Sequence, residues 1–163
     1  MSDVHVEGLR HRAAAVVRRG DQFLIMGRYR RRANVADCTI CCEAGELPAR
    51  CPGHHYATIP GGSVEPGETP EQAAVRELAE EATMTGRVER LLWSGVHDDK
   101  PDKLVSYFLM ADVEGEPVLG GEELTEQTED NIHTLLWARL DEVEDLGLQP
   151  HVAIDVLALA VRR

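Results

Sequence analysis

The chain has 163 residues, 29 acidic against 17 basic side chains, and a formal net charge of −12. That length suits one domain with its own hydrophobic core. The acidic balance excludes a generic nucleic-acid binder, which presents a basic face, and no apolar run is long enough to span a membrane.

The stretch from Met1 to Arg12 is polar and lacks the apolar core of a signal peptide, so a cytoplasmic location and four reduced cysteines are expected. His11 to Val17 and Gln22 to Met26 are apolar and β-compatible, with a hairpin turn signal at Gly20-Asp21. Arg28, Arg30, Arg31 and Arg32 follow as a local basic cluster in an acidic chain. It reads either as a solvated strand end or as a phosphate contact, and Arg28 and Arg30 are the candidate substrate-binding residues. Ala33 to His55 then carries all four cysteines, two adjacent histidines, Pro48 and Pro52, with no helical or strand period. It is predicted to be an insertion, about 33–55.

Tyr56 to Ile59 resumes a short strand, ended by Pro60-Gly61-Gly62. A helix is predicted from Thr69, with Thr69 as N-cap, Pro70 in the first turn and Gln72 completing a capping box. Ala73, Ala74, Leu78 and Ala82 supply its packing face. Arg87 to Val96 and Lys103 to Val113 read as strands joined by a loop at His97 to Asp102. Glu114 to Asn131 is an acidic, glycine-containing loop, and Ile132 to Leu140 another strand. Asp141 to Leu146 suits a short helical turn, and His151 to Val161 has helical spacing at Val152, Val156, Leu159 and Ala160. Mixed strands with one central and one terminal helix predict a single α/β domain over 1–163, with helices packed on a mixed sheet.

Chemistry concentrates between Gly62 and Met84. Glu77, Glu80 and Glu81 are spaced to share one helical face, directly after a glycine-rich turn. Like carboxylates on one face repel unless a cation lies between them. A hard divalent cation with oxygen ligands is the usual answer, and magnesium typically arrives with phosphate. The bland alternative is a solvated acidic helix face, since glutamate is a good helix former. The preceding glycines, Arg76 and the spacing favour metal-assisted phosphate chemistry.

Gly62, five residues, Glu68, seven residues and then Arg76-Glu77-Leu78-Ala79-Glu80-Glu81 closely resembles the box of the Nudix family, G-x5-E-x7-R-E-U-x-E-E-x-G-U with U apolar. The resemblance is specific over this segment and only topological elsewhere. It implies a Nudix-like α/β/α sandwich with a mixed sheet, and a magnesium- or manganese-dependent hydrolase of a nucleoside diphosphate linked to another group. It further implies that Glu77, Glu80, Glu81 and the Gly62 carbonyl ligate the cation. Glu81 and Glu80 are then catalytic candidates, with Arg76 orienting a metal-binding glutamate and Glu68 in a supporting role. Nudix enzymes often add a metal ligand or base from outside the box, and Glu123 and Glu126 of the acidic loop are the candidates here. Thr83 departs from the pattern, standing where the box ends in glycine. A β-branched residue is poor in the left-handed conformation expected there, and Gly86 is the candidate to take that turn instead.

Cys38-Thr39-Ile40-Cys41 and Cys51-Pro52-Gly53-His54 form two short clusters. Two such pairs can meet at one tetrahedral zinc, so Cys38, Cys41, Cys51 and His54 are candidate ligands, with Cys42 and His55 as alternatives. The competing reading is reduced surface cysteines and loop histidines. A loop of this length without a core of its own needs a staple, which favours structural zinc.

The expected partner is a nucleotide-type small molecule, with a second copy of the chain admissible and neither a membrane nor a specific nucleic acid expected. The alternative reading is a non-catalytic nucleotide-binding or regulatory protein with the same fold. The intact glutamates argue against it, because a pure binder does not need them. A diphosphate isomerase of related fold has no specific support. Phe23, Tyr29, Tyr56, Trp93, Tyr107, Phe108 and Trp137 could stack on a base, although most are expected in the core.

Overall fold

The computed structural model describes residues 9–97 and 100–162. Asp98 and Asp99 of the predicted 97–102 loop, and the polar segment 1–8, lie outside the described residues.

β1 (Arg10–Val16) is the organising strand. It pairs antiparallel with β5 (Gly61–Ser63) on one side and parallel with β7 (Lys100–Glu114) on the other, and β6 (Thr85–His97) completes this sheet beyond β7. A second sheet is built on β3 (Gln22–Arg30), which pairs with β2 (Arg18–Arg19), β4 (His54–Thr58) and β8 (Asn131–Arg139), all antiparallel.

Strand alternation divides the apolar residues between two cores. Ala14 and Val16 of β1, Phe23 and Ile25 of β3 and Tyr107 and Leu109 of β7 face α4 (Val152–Val161), which contributes Ala153, Val156, Leu157 and Ala160. Ala13, Ala15 and Val17, with Leu24, Phe108 and Met110, face α2 (Pro70–Ala82) through Ala73, Ala74, Leu78 and Ala82. The result is the expected α/β/α sandwich. Alanines on both sides of the α2 contact let the helix lie close to the strands, and fully buried Leu78 contributes about 1.5–3 kcal/mol by leaving water.

The structure corrects four details. β3 continues to Arg30 instead of stopping at Met26, so Arg28 and Arg30 lie inside a strand. Pairing with β4 and β8 on its two sides satisfies the backbone of this polar stretch, which no apolar alternation marks. The Cys/His segment is shorter and more structured than expected: it holds a 3-10 turn at Val35–Asp37 and α1 (Thr39–Glu43), while His54 and His55 belong to β4. The acidic segment contains α3 (Gly121–Thr125).

The fourth correction concerns the end of α2. Thr83 itself takes the left-handed conformation, at φ 57° and ψ 32°, and Gly86 is a strand residue of β6. Such a conformation costs a residue with a Cβ about 1–2 kcal/mol. It is offset locally, because the Thr83 hydroxyl donates to the Val118 carbonyl at 2.7 Å. The same segment caps the helix further: Val118 N–H donates to the Ala82 carbonyl at 2.9 Å and Gly120 N–H to the Glu81 carbonyl at 3.0 Å.

Candidate active site

Helix α2 starts as its sequence dictates. The Thr69 hydroxyl accepts from Gln72 N–H at 3.1 Å, and the Gln72 side chain accepts from Thr69 N–H at 2.9 Å. This fixes the register that turns Glu77 and Glu81 toward β5. The glycines of β5 are needed there: a Cβ at Gly61 would collide with the backbone of β1, and one at Gly62 with the Glu77 carboxylate. Gly61 N–H donates to Glu81 Oε2 at 3.2 Å.

Arg76 ties the acidic groups together. Its Nε and Nη2 grip both oxygens of Glu68 at 2.8 and 3.0 Å, its Nη1 donates to Glu77 Oε1 at 2.9 Å and Glu80 Oε2 at 3.1 Å, and Nη2 also donates to the Ser63 carbonyl at 2.9 Å. The two-pronged contact holds the Glu68 carboxyl below its usual pKa. Glu68 thereby aims Arg76, and Arg76 aims Glu77.

Glu81 has a different environment. It is 5% exposed, and its pKa is pushed up to about 9, first by burial and then by the charges of Glu123 and Glu77. Gly61 N–H and Arg12 oppose that rise only in part. The Glu77 carboxyl is also raised, chiefly by burial, despite its bond to Arg76. Glu123 approaches on α3, docked at the end of α2 where Gly120 leaves no room for a side chain beside the Glu80 carbonyl. Glu126 lies at the end of α3, and its charge acts on His133. Of the two candidates in the acidic segment, Glu123 is therefore the one that influences Glu77 and Glu81.

These residues fit a hard divalent cation. The Glu77 and Glu81 carboxyls are raised in pKa first by burial and then by neighbouring carboxylates, Glu123 among them, a conflict that a dication with oxygen ligands reverses. The backbone of Gly62 lies against Glu77, so its carbonyl is a compatible further ligand.

Arg28 and Arg30 lie on β3, opposite His133 and Asn131 of β8 and opposite Tyr56 and His54 of β4. The Arg28 guanidinium stands 5.6 Å from the centre of the Tyr56 ring, and among the described residues the buried Nε atoms of both arginines have no hydrogen-bond partner. His133 is buried and its pKa lowered, first by that burial and then by Arg28. Sequence reasoning missed Arg12, which donates to the Gly61 carbonyl at 3.1 Å and is near enough to Glu81 to act on its charge. It also missed His133. Pairing arginine strands with a histidine strand requires knowing the sheet order, which a single sequence does not display.

The Cys/His segment is brought together as well. One ligand atom each from Cys38, Cys41, Cys51 and His54 lies within 4.8 Å of all the others, and the three cysteines are buried. Among the described residues this is the only such convergence of metal-ligand atoms. Cys42 is exposed and outside it; His55 packs instead on Tyr29, ring centres 4.8 Å apart. The set can hold a metal.

A carboxylate-lined helix behind a glycine strand, in an α/β/α sandwich, defines a class of enzymes that handle phosphate through a divalent cation. The family model described as the NUDIX domain matches residues 9–158, and the chain belongs to the Nudix family of pyrophosphate-bond hydrolases, which generally require a divalent cation. An RNA pyrophosphohydrolase of Yersinia enterocolitica is 47% identical over 64 residues, which span 39% of this chain and only 36% of that relative. A MutT Nudix hydrolase from Burkholderia pseudomallei superimposes with TM-score 0.59 at 23% identity, covering 95% of this chain and 100% of that one. An ADP compounds hydrolase does so with TM-score 0.60 at 16% identity, covering 93% and 70%. At these identities the structural likenesses establish the fold. No helix among the described residues is long and apolar enough to cross a membrane.

Proposed function

We propose that this chain cleaves the pyrophosphate bond of a nucleoside diphosphate linked to a second group, using magnesium or manganese held by Glu77, Glu80, Glu81 and the Gly62 carbonyl. The observation that carries this reading is buried Glu81 and half-buried Glu77 against the glycine strand, with the charge of Glu123 acting on both. When bound, the cation neutralises phosphate charge and acidifies water.

The chain supplies the rest. Glu68 holds Arg76, and Arg76 holds Glu77 and Glu80, so the ligand oxygens keep their orientation without the substrate. Gly61 N–H fixes one oxygen of Glu81 and leaves the other for a proton. With a divalent cation bound, which would hold Glu81 ionised despite its burial, Glu81 would accept that proton from the attacking water, and Glu123 would keep the local field negative enough to favour the transfer. Arg28 and Arg30 contact the substrate's phosphates.

The second metal is zinc. Three thiols and an imidazole are soft and borderline ligands that suit zinc and not magnesium. Four protein ligands leave no open position for substrate, which makes its role structural. Thiols in this state require a reducing compartment, which supports a cytoplasmic location.

The relatives point to several substrates: RNA ends, MutT-type nucleotides and ADP compounds. A net charge of −12 disfavours a polyanionic RNA and favours a small nucleotide. Incubating a panel of nucleoside diphosphate derivatives with magnesium and analysing the products tests the reading. Two phosphate-bearing fragments are expected; an isomer, or no turnover across the panel, contradicts it.

A further inference from the structure

β3 ends at Arg30 and β4 begins at His54, and these two residues are direct partners in register. The Cys-rich excursion joins them. Its own packing consists of Cys38, Cys41 and Cys51 with Val35 and Ile40. That is too little apolar area to offset the entropy of fixing such a loop.

The cluster grips both strand ends. Backbone groups of Arg32, just beyond β3, and of Gly53, just before β4, lie near enough to the Cys51 sulfur to act on its charge. Cys41 Sγ lies 3.2 Å from Nε2 of His54. Gly53, at φ +85°, lies so close to the Tyr29 ring of β3 that any Cβ would collide with it, and the Tyr29 ring also packs on the His55 ring of β4. Tyr29 is thus a strut between the metal-binding turn and the strand pair.

Directly paired residues share one face of a sheet, as do residues two apart on a strand. His54 therefore shares a face with Arg30, Arg28 and Tyr56. This face also carries His133, which feels the charge of Glu123, and Glu123 in turn acts on Glu77 and Glu81. The His54 ligand of the Cys/His cluster and the two arginines thus lie on one sheet face, beside His133. Arginines whose Nε atoms have no hydrogen-bond partner among the described residues depend on the strands beneath them for their placement.

We propose that the metal in the Cys/His cluster is a positioning device for substrate: it fixes the Arg30–His54 end of the β3–β4 pair so that Arg28 and Arg30 meet the phosphates of a nucleoside diphosphate. This inference rests on the hydrolase and zinc readings above. A metal that only stabilised its own loop would leave nucleotide affinity unchanged.

The test is calorimetric titration of ADP, with magnesium, into the full chain, with zinc content measured in each sample. Zinc-loaded Arg30→Gln binds ADP about tenfold more weakly, the typical effect of losing one charge-assisted contact. His54→Ala loses zinc and weakens ADP by a similar factor. Because both changes act through the same arginine placement, the double variant is no weaker than the weaker single, within about twofold. His54→Cys, a four-thiolate zinc site, keeps zinc and the parent's affinity. A folded, zinc-free His54→Ala that binds ADP like the parent overturns the proposal, as do multiplying effects in the double variant or a parent that does not bind ADP. Where His54→Ala does not fold, Tyr29→Leu decides. It keeps all four ligands and removes the strut, so zinc stays and ADP binding falls several-fold; a parent-like affinity overturns the proposal. Failure of the underlying readings shows separately: the zinc reading fails if the parent contains no zinc, and the hydrolase reading if ADP binds but no substrate turns over.

Discussion

The two candidate metal sites of this chain differ in how they are assembled. The Cys/His cluster brings four ligand atoms to one point, within 4.8 Å of each other, and encloses three of its residues. The box glutamates share a helix face, but Arg76 occupies oxygens of Glu77 and Glu80, while Glu81 is buried apart from them against Gly61. The cluster is closed by protein alone, as a structural site is. The box leaves coordination open and spends its protein contacts on orientation, as a site that must admit substrate and water does.

The largest effect separating the two sites is chemical. Glu81→Gln keeps the side chain's size and removes its negative charge and its capacity to take a proton. Turnover falls by about a hundredfold or more while the fold and the zinc content stay those of the parent. Equal turnover in the purified variant, on any substrate the parent accepts, breaks the assignment.

Losing the cluster has the opposite signature. Cys38→Ser removes one thiolate, and the excursion has no core to replace it. A loss of a few kcal/mol, or a melting temperature lower by roughly 10 °C, is expected with the Glu81 environment intact. A variant that melts with the parent and still holds its shape makes the cluster incidental.

Arg76→Lys is smaller and sharper. A lysine keeps the charge but cannot grip both oxygens of Glu68 and still reach Glu77 and Glu80. Turnover drops by about tenfold to a hundredfold, as is usual when a group that orients a metal ligand is lost. Parent-like kinetics would mean that charge alone, and not geometry, matters at this position.

The smallest effect lies at Thr83. Thr83→Ala keeps the left-handed strain and loses the hydrogen bond to Val118, which costs about 1 kcal/mol by denaturant titration. Thr83→Gly loses the bond but relieves the strain, so it is close to neutral. If glycine proves as costly as alanine, the hydroxyl contact rather than the backbone governs this turn.

The same comparison shows what a sequence displays. The helix start at Thr69, its packing alanines and the glutamate face follow from local spacing and capping chemistry, and the structure keeps them. The convergence of Cys38, Cys41, Cys51 and His54 was also legible, because metal-ligand pairs advertise themselves by short spacing. Hidden were features that depend on distant partners. Arg28 and Arg30 continue β3 because β4 and β8 pair with it on its two sides, and no apolar alternation reports that. Thr83 accepts a left-handed backbone because Val118, on a segment that returns much later, accepts its hydroxyl. Glu123 acts on the box through α3, whose register no local pattern specifies.

Metal dependence measured on a single preparation tests the central claim most directly. The protein is purified without added metal, its zinc is counted, and turnover of an accepted nucleoside diphosphate derivative is followed as magnesium is added and then withdrawn with a weak chelator. The account predicts about one zinc per chain throughout, no turnover before magnesium, and turnover that rises and falls with magnesium alone. Turnover that tracks the zinc content and ignores magnesium would contradict it.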